Sequence, residues 1–277
     1  MEYNPFGTLH ELKNMNQLPV ALTIAGSDNS AGAGLQADLK TFSAHGVYGL
    51  TAVTCVVAEV PGKVESIQPI DPAVVAAQVR LSFDGFPVAA MKTGMLFSRE
   101  IMEAVLEVID GKTIPLVVDP VMVATSGDSL LREDAVAIYK ERLFSKATLV
   151  TPNLDEVAAL LGRPVHDLAA MREAGRQLTA QYGVSFLIKG GHLRDAVATD
   201  LLFCDGMVHE FRAPFVEGVS THGTGCTYSA AVTSQLAKGL SLVEAVGDAK
   251  RFVTRAIAHH LRWKKPHGNT DALHHFA

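Results

Sequence analysis

The sequence predicts an α/β fold with a doubly wound, mostly parallel central sheet flanked by helices and small antiparallel strands at its edges. Three observations carry that expectation. Apolar runs of strand length recur between amphipathic stretches, the alternation that builds βαβ units. Helix-start chemistry falls in the gaps between those runs. Two links leave no room for a helix, so the strands they join must pair antiparallel.

Residues 1–17 show no periodicity and read as an N-terminal arm that packs late or not at all. A single domain is expected over 18–277, since no Pro/Ser-rich linker, internal repeat or low-complexity segment divides the chain. Strands are expected at 20–25, 48–58, 64–70, 89–93, 116–119, 148–151, 186–189, 199–203 and 207–212. Between them Asp71-Pro72 supplies an N-cap and a first-turn proline, Ser98-Arg99-Glu100 opens another helix, and Asp167 caps one that runs to Gln181. Val60-Pro61-Gly62 joins two strands directly, and Cys204-Asp205-Gly206 has the Asp-Gly signature of a hairpin. In the last helix Arg251, Arg255, His259 and Arg262 fall along one face. Without interleaved aromatics, that stripe reads as a solvated face and not as a nucleic-acid surface.

The chain has 277 residues, 48% hydrophobic and 19% charged, which excludes a disordered or coiled-coil protein. A net charge of -5, from 24 basic and 29 acidic residues, offers no global attraction for nucleic acid or anionic lipid. An anionic ligand must therefore be held locally. Cys55, Cys204 and Cys226 are odd in number, far apart and form no C-x-x-C pair. Neither a disulfide framework nor a zinc site is expected, and a reducing cytoplasm is the natural home. No secretory signal pattern and no apolar run of membrane-spanning length stands in the sequence, so no membrane partner is expected.

The residues that could carry chemistry gather at strand ends. Segment 21–38 passes from a strand through a Gly-rich loop, 26–32, into a helix, a layout that brings backbone N–H groups against a ligand. Gly32-x-Gly34-x-x-Ala37 also matches the dinucleotide fingerprint, with Glu59 available as the ribose-binding acid. A nicotinamide-dependent oxidoreductase therefore stays open, although a seven-residue loop suits a small-molecule pocket better. Thr221-His222-Gly223-Thr224-Gly225-Cys226 opens a helix rich in small residues. Unobstructed N–H groups and the helix dipole make its start a site for phosphate or a developing oxyanion. Cys226 falls in the first turn, where a lowered thiol pKa is expected; a packed, inert cysteine is the rival reading. Asp119 offers a carboxylate at a strand end, and Lys189-Gly190-Gly191 a cation beside flexible backbone. Asn153 and Glu156 have the spacing of a capping box, which structure alone would explain. An anion cradle, a carboxylate, an Asn/Glu pair and a lysine are the parts for phosphoryl transfer from a magnesium nucleotide. No G-x-x-x-x-G-K-[ST] loop is present, so this is not a P-loop enzyme.

Segment 21–42, Met91-Lys92-Thr93-Gly94-Met95, Val118-Asp119-Pro120-Val121, Ser126-Gly127-Asp128, Thr151-Pro152-Asn153, Lys189-Gly190-Gly191-His192 and Thr221 to Cys226 occur in this order. Together they resemble the hydroxymethylpyrimidine/phosphomethylpyrimidine kinases of the ribokinase superfamily, over residues 20–262. The resemblance implies a ribokinase-like fold, a homodimer, and transfer from ATP with Mg2+ to a hydroxymethyl aminopyrimidine and then to its monophosphate. It implies that Gly26, Ala33, Asp38 and Met95 line the pyrimidine pocket. Asp119 and Glu156 would organise the metal and, with Asn153, the phosphates; Lys189 would contact the transferring phosphates. Gly223, Thr224, Gly225 and Cys226 would form the anion hole, with Cys226 activating the substrate hydroxyl, and Ser126-Gly127 would belong to a covering loop. One position departs. The family's pyrimidine-reading Gln, in Val-Ala-Gln-Asn-Thr, is replaced by Glu59 in Val57-Ala58-Glu59-Val60-Pro61. An amide both accepts and donates, whereas a carboxylate only accepts, so a pyridoxal, pyridoxine or other heterocycle kinase is the alternative, with a non-catalytic pyrimidine-binding relative further off.

Overall fold

The computed structural model describes residues 18–121, 138–193, 197–219, 222–265 and 268–277. The expected arm 1–17, Ser126-Gly127 and Thr221 lie outside them. In chain order the elements are β1 (Val20–Asp28), α1 (Gly34–Ala44), β2 (Tyr48–Val60), β3 (Lys63–Pro69), α2 (Pro72–Gly85), β4 (Val88–Thr93), α3 (Arg99–Ile109), β5 (Leu116–Val118) and β6 (Leu149–Val150). They continue through α4 (Leu154–Leu161), α5 (Leu168–Tyr182), β7 (Ser185–Lys189), β8 (Val197–Cys204), β9 (Met207–Pro214), α6 (Thr224–Ala237), α7 (Leu242–Ala258), β10 (Leu261–Lys265) and β11 (Gly268–Ala272). Each of the nine expected strands is present, shifted at its ends by a few residues.

Local chemistry starts the helices where the sequence placed them. Asp71 accepts from the Ala73 N–H at 2.8 Å, Ser98 caps α3 through Ile101, and Asp167 accepts from Ala170 at 2.7 Å. Each cap satisfies a donor that the helix itself leaves unpaired.

Among the described residues, nine strands form one sheet in the order β3-β2-β1-β4-β5-β6-β7-β8-β9. The pairs β2–β3, β7–β8 and β8–β9 are antiparallel and the others parallel. The two short links produced the antiparallel edges they required. Strand alternation divides the core: Leu116 and Val118 face a layer built from α2 to α5, while Val117, Leu149 and Leu187 face α6 and α7. Small residues let α6 lie against the sheet, with Ser229, Ala230, Ala231 and Thr233 fully buried. No helix among the described residues is long and apolar enough to cross a membrane.

Two expectations need correction. β1 continues to Asp28, so the first loop is five residues, 29–33, and not seven; the strand gains this length by pairing Ser27 and Asp28 with β2. α7 ends at Ala258, which removes Arg262 from the basic face. Arg262 lies on β10, in a hairpin that periodicity missed, and donates to Asp271 at 2.7 Å. Arg251 pairs with Asp248 and Arg255 lies over Phe252, and both are exposed on α7, the solvated face expected.

β1 sits between β2 and β4, and the chain builds outward from it in both directions. Sheets of this kind hold ligands beyond the carboxyl ends of the strands where that order reverses. Asp28, Met95, Asp119, Asn153 and Lys189 all stand at or just past such ends.

Candidate active site

One end of the cleft concentrates charge. Lys189 donates to Asp119 Oδ1 at 3.0 Å, Thr151 to the same oxygen at 3.1 Å, and Ser229 to Oδ2 at 3.3 Å. Burial alone would push the Asp119 carboxyl up, but Lys189 and then Lys92 outweigh it and hold the group below its ordinary value. The lysine is buried too, and stays a cation because Asp119 and Glu156 face it. Asn153 and Glu156 form the capping box in full, with N–H to side-chain contacts of 2.7 and 2.9 Å. Glu156 does more than cap. Burial pushes its carboxyl up to about 8, Lys189 opposes this, and Asp119 adds to it. A buried carboxylate, Glu156, raised by burial and by the neighbouring charge of Asp119, suits a further cation.

The start of α6 meets this cluster. A Cβ added to Gly225 would stand 3.3 Å from Lys189 Nζ and 3.6 Å from Asp119 Oδ2. The N-cap Gly223 has φ 81°. Thr224 Oγ1 and Thr93 Oγ1 are buried and have no hydrogen-bond partner among the described residues. Unpartnered hydroxyls, open N–H groups and the positive end of a long helix together fit a phosphate.

Cys226 departs from expectation. It is in the first turn of α6, but burial pushes its thiol up to about 12, with Lys92 opposing and Asp38 and Asp119 adding to the rise. Desolvation and two carboxylates outweigh the helix dipole, so the resting thiol is protonated. Asp38 is a second correction. It is fully buried, bound to Lys92 at 2.8 Å and Thr23 at 2.6 Å, and therefore underlies the site instead of lining a ring pocket.

At the ends of β1 and β2 an apolar group and a polar group lie close together. A Cβ on Gly26 would stand 2.8 Å from Cys55 Sγ and 3.7 Å from Met95 Sδ, and Cys55, Val57 and Met95 form a small cluster with Phe97 and Val121. Nearby, Asp28 accepts from the Ala33 N–H at 2.8 Å and the Ser30 N–H at 2.7 Å, and meets His222 Nε2 at 3.2 Å. Burial would raise Asp28, but His222, Ser30 and Ala33 hold it at about 2. Glu59 joins this pair, with ligand-capable atoms of all three residues within 4.8 Å of one another. Burial, and next the charge of Asp28, push the Glu59 carboxyl upward, with His222 opposing.

The fold thus brings Asp119, Asn153, Glu156, Lys189, Gly223, Thr224, Gly225 and Cys226 together, sets Ala33 beside Gly223, and gathers Gly26, Glu59 and Met95 at the ends of β1 and β2. Sequence reasoning missed Lys92, Asp28 and His222. Lys92 carried a signal, since a lysine inside an apolar strand demands a buried partner. Asp28 and His222 are 194 positions apart and carried none.

A sequence profile of the phosphomethylpyrimidine kinase family matches residues 28–271. The chain belongs to that family. The match excludes the oxidoreductase reading, and with it the dinucleotide role for Gly32 and Gly34. The chain is 43% identical over 258 residues to a hydroxymethylpyrimidine/phosphomethylpyrimidine kinase of Rhizobium meliloti, covering 93% of this chain and 97% of that one. It is 44% identical over 237 residues to a thiamine biosynthesis bifunctional protein of Geobacter sulfurreducens, covering 85% of this chain but 48% of that one; this kinase spans about half of that relative. Among solved structures, the ADP complex of Bacillus subtilis pyridoxal kinase is similar at TM-score 0.83 and 37% identity, covering 93% of this kinase and 98% of that chain.

Proposed function

We propose that this kinase phosphorylates 4-amino-5-hydroxymethyl-2-methylpyrimidine and then its monophosphate, with MgATP as donor. The observation that carries the reading is the junction of Gly225 with Lys189 and Asp119, because it places an anion-binding helix start, a cation and a carboxylate around one point. The relatives' names point to the pyrimidine, and the ADP complex of a pyridoxal kinase supports a nucleotide donor.

Asp119 and Glu156 would hold magnesium, which when bound supplies charge neutralisation and alignment of the phosphates. Glu156 would then ionise more readily, since a bound cation would offset the burial and the Asp119 charge that raise its carboxyl. The α6 N–H groups and Thr224 take the negative charge that develops on the transferred phosphoryl group, and Lys189 approaches the same oxygens. Lys92 and Asp38 hold the floor beneath Cys226. The ring lies between the Cys55/Met95 wall and the Glu59 carboxyl. The same reading carries a cytoplasmic location and a homodimer; static light scattering checks the latter.

Cys226 would take the proton of the substrate hydroxyl. With the thiol at about 12, the thiolate fraction near neutrality is small and grows about tenfold with each pH unit. Wild-type kcat should therefore climb between pH 7 and 9. Cys226→Ala should lose roughly 10²-fold in kcat together with that slope, and Cys226→Asp should keep more activity. An Ala variant with near-normal turnover assigns Cys226 to packing.

Glu59 would donate to the ring as a neutral acid, a state its raised carboxyl favours. Rising pH ionises it, so affinity for the pyrimidine should fall, with KM higher at pH 8.5 than at pH 6. Glu59→Gln should remove that fall and move preference between pyrimidine and pyridine alcohols by about tenfold towards the pyrimidine. Unchanged ratios at both pH values would mean that Glu59 does not touch the ring.

The reaction itself is tested by ADP release across a panel of pyrimidine and pyridine alcohols. The pyrimidine should be the best substrate. Preference for pyridoxal or pyridoxine would replace the proposed acceptor, and turnover of neither class would overturn the reading.

A further inference from the structure

Lys189 ends β7, and its partner across the antiparallel pair with β8 is Asp200. That carboxylate is 2% exposed. Its Oδ1 accepts the Gly190 N–H at 2.9 Å, and its Oδ2 accepts Lys250 Nζ, from α7, at 2.6 Å. Only glycine fits so close to β8 at Gly190, because a Cβ there would stand 2.1 Å from the Thr199 carbonyl oxygen. The chain leaving Lys189 is therefore pressed onto β8 and fastened there. On α6, Tyr228 is buried, and burial and then Asp200 push its phenol well above its ordinary value.

Stability does not explain the arrangement. A buried ion pair gives little net stabilisation over apolar residues of the same volume. What apolar residues could not replace is the acceptor for the Gly190 N–H, one residue beyond the lysine that meets Asp119. We propose that Asp200 and Lys250 are positioning residues: the pair fixes the turn at Gly190 and so the direction in which Lys189 points towards Asp119 and the phosphates. This rests on the phosphate-contacting role of Lys189 given above.

The test compares two double variants with the wild-type enzyme. Asp200→Asn with Lys250→Met removes both charges and keeps an acceptor for Gly190. Asp200→Leu with Lys250→Met removes the acceptor as well and leaves an apolar core. The Asn form should keep kcat within about threefold, whereas the Leu form should lose roughly 10²-fold in kcat, with an unchanged KM for the pyrimidine and a cooperative melt. Equal kcat in the two forms would overturn the proposal. Should the Leu form fail to fold, Asp200→Ala with Lys250→Met takes its place: kcat should again fall roughly 10²-fold, and a kcat equal to that of the Asn form would overturn the idea. Absence of turnover in the wild-type enzyme with every panel substrate would instead strike the proposed reaction and leave the Gly190 contact standing.

Discussion

Asp119→Asn is expected to lower kcat by at least about 10³-fold while the protein still folds. A factor of that size is about 4 kcal/mol in the barrier, the scale on which losing a metal-organising carboxylate acts. The structure explains why no neighbour substitutes. Asp119 is 2% exposed and takes Lys189 and Thr151 on one oxygen and Ser229 on the other. Asn keeps the shape and one acceptor, but the charge facing both Lys189 and Lys92 disappears. Lys189 would then lean on Glu156 alone, drawing that carboxylate away from the metal. Some stability is lost as well, because two lysines keep their charge with less compensation. Steady-state kcat beside a thermal melt separates the two effects: a folded variant retaining more than about a tenth of wild-type activity would remove Asp119 from the phosphate chemistry.

How much of this was legible in the sequence depended on how local each cause was. The caps at Asp71, Ser98 and Asp167 are settled by residues two or three positions away, and they were read correctly. So were the hairpin at Asp205-Gly206 and the strand-end placement of Asp119, Asn153 and Lys189, because Pro and Gly mark where those strands stop. Cys226 was misjudged for the opposite reason. Its position in the first helical turn is local, but its ionisation answers to burial and to Asp38 and Asp119, which arrive from distant parts of the chain. The same holds for Asp38, whose acidic side chain looked available for substrate until β4 delivered Lys92 against it. β10 and β11 escaped notice because their exposed strands bury almost nothing, which leaves little apolar alternation to read.

Gly223→Ala is expected to abolish turnover, with kcat/KM reduced by about 10³-fold or more, through geometry alone. The residue has φ 81°, and a Cβ there would stand 1.8 Å from the Gly32 carbonyl oxygen and 2.7 Å from its carbon. The strain of an alanine in left-handed backbone costs about 1 to 2 kcal/mol. The overlap is the larger effect, since backbone cannot rotate out of the way as a side chain would. Either the loop at Gly32 and Ala33 or the start of α6 must retreat by an ångström or more. The first movement pulls Ala33 from Asp28, and the second draws Gly225 away from Lys189 and Asp119. Displacing a positioned group by about 1 Å can cost roughly 10²-fold in rate, and here ring pocket and anion hole separate together. Gly239 isolates the strain, because it has φ 84° with nothing within 4 Å of an added Cβ. Gly239→Ala should therefore lose a similar 1 to 2 kcal/mol of stability, roughly, and keep full activity. Measuring kcat/KM and the melting midpoint for both variants decides the matter: if Gly223→Ala keeps activity within tenfold of the wild-type enzyme, the contact between the two loops does not hold the catalytic geometry.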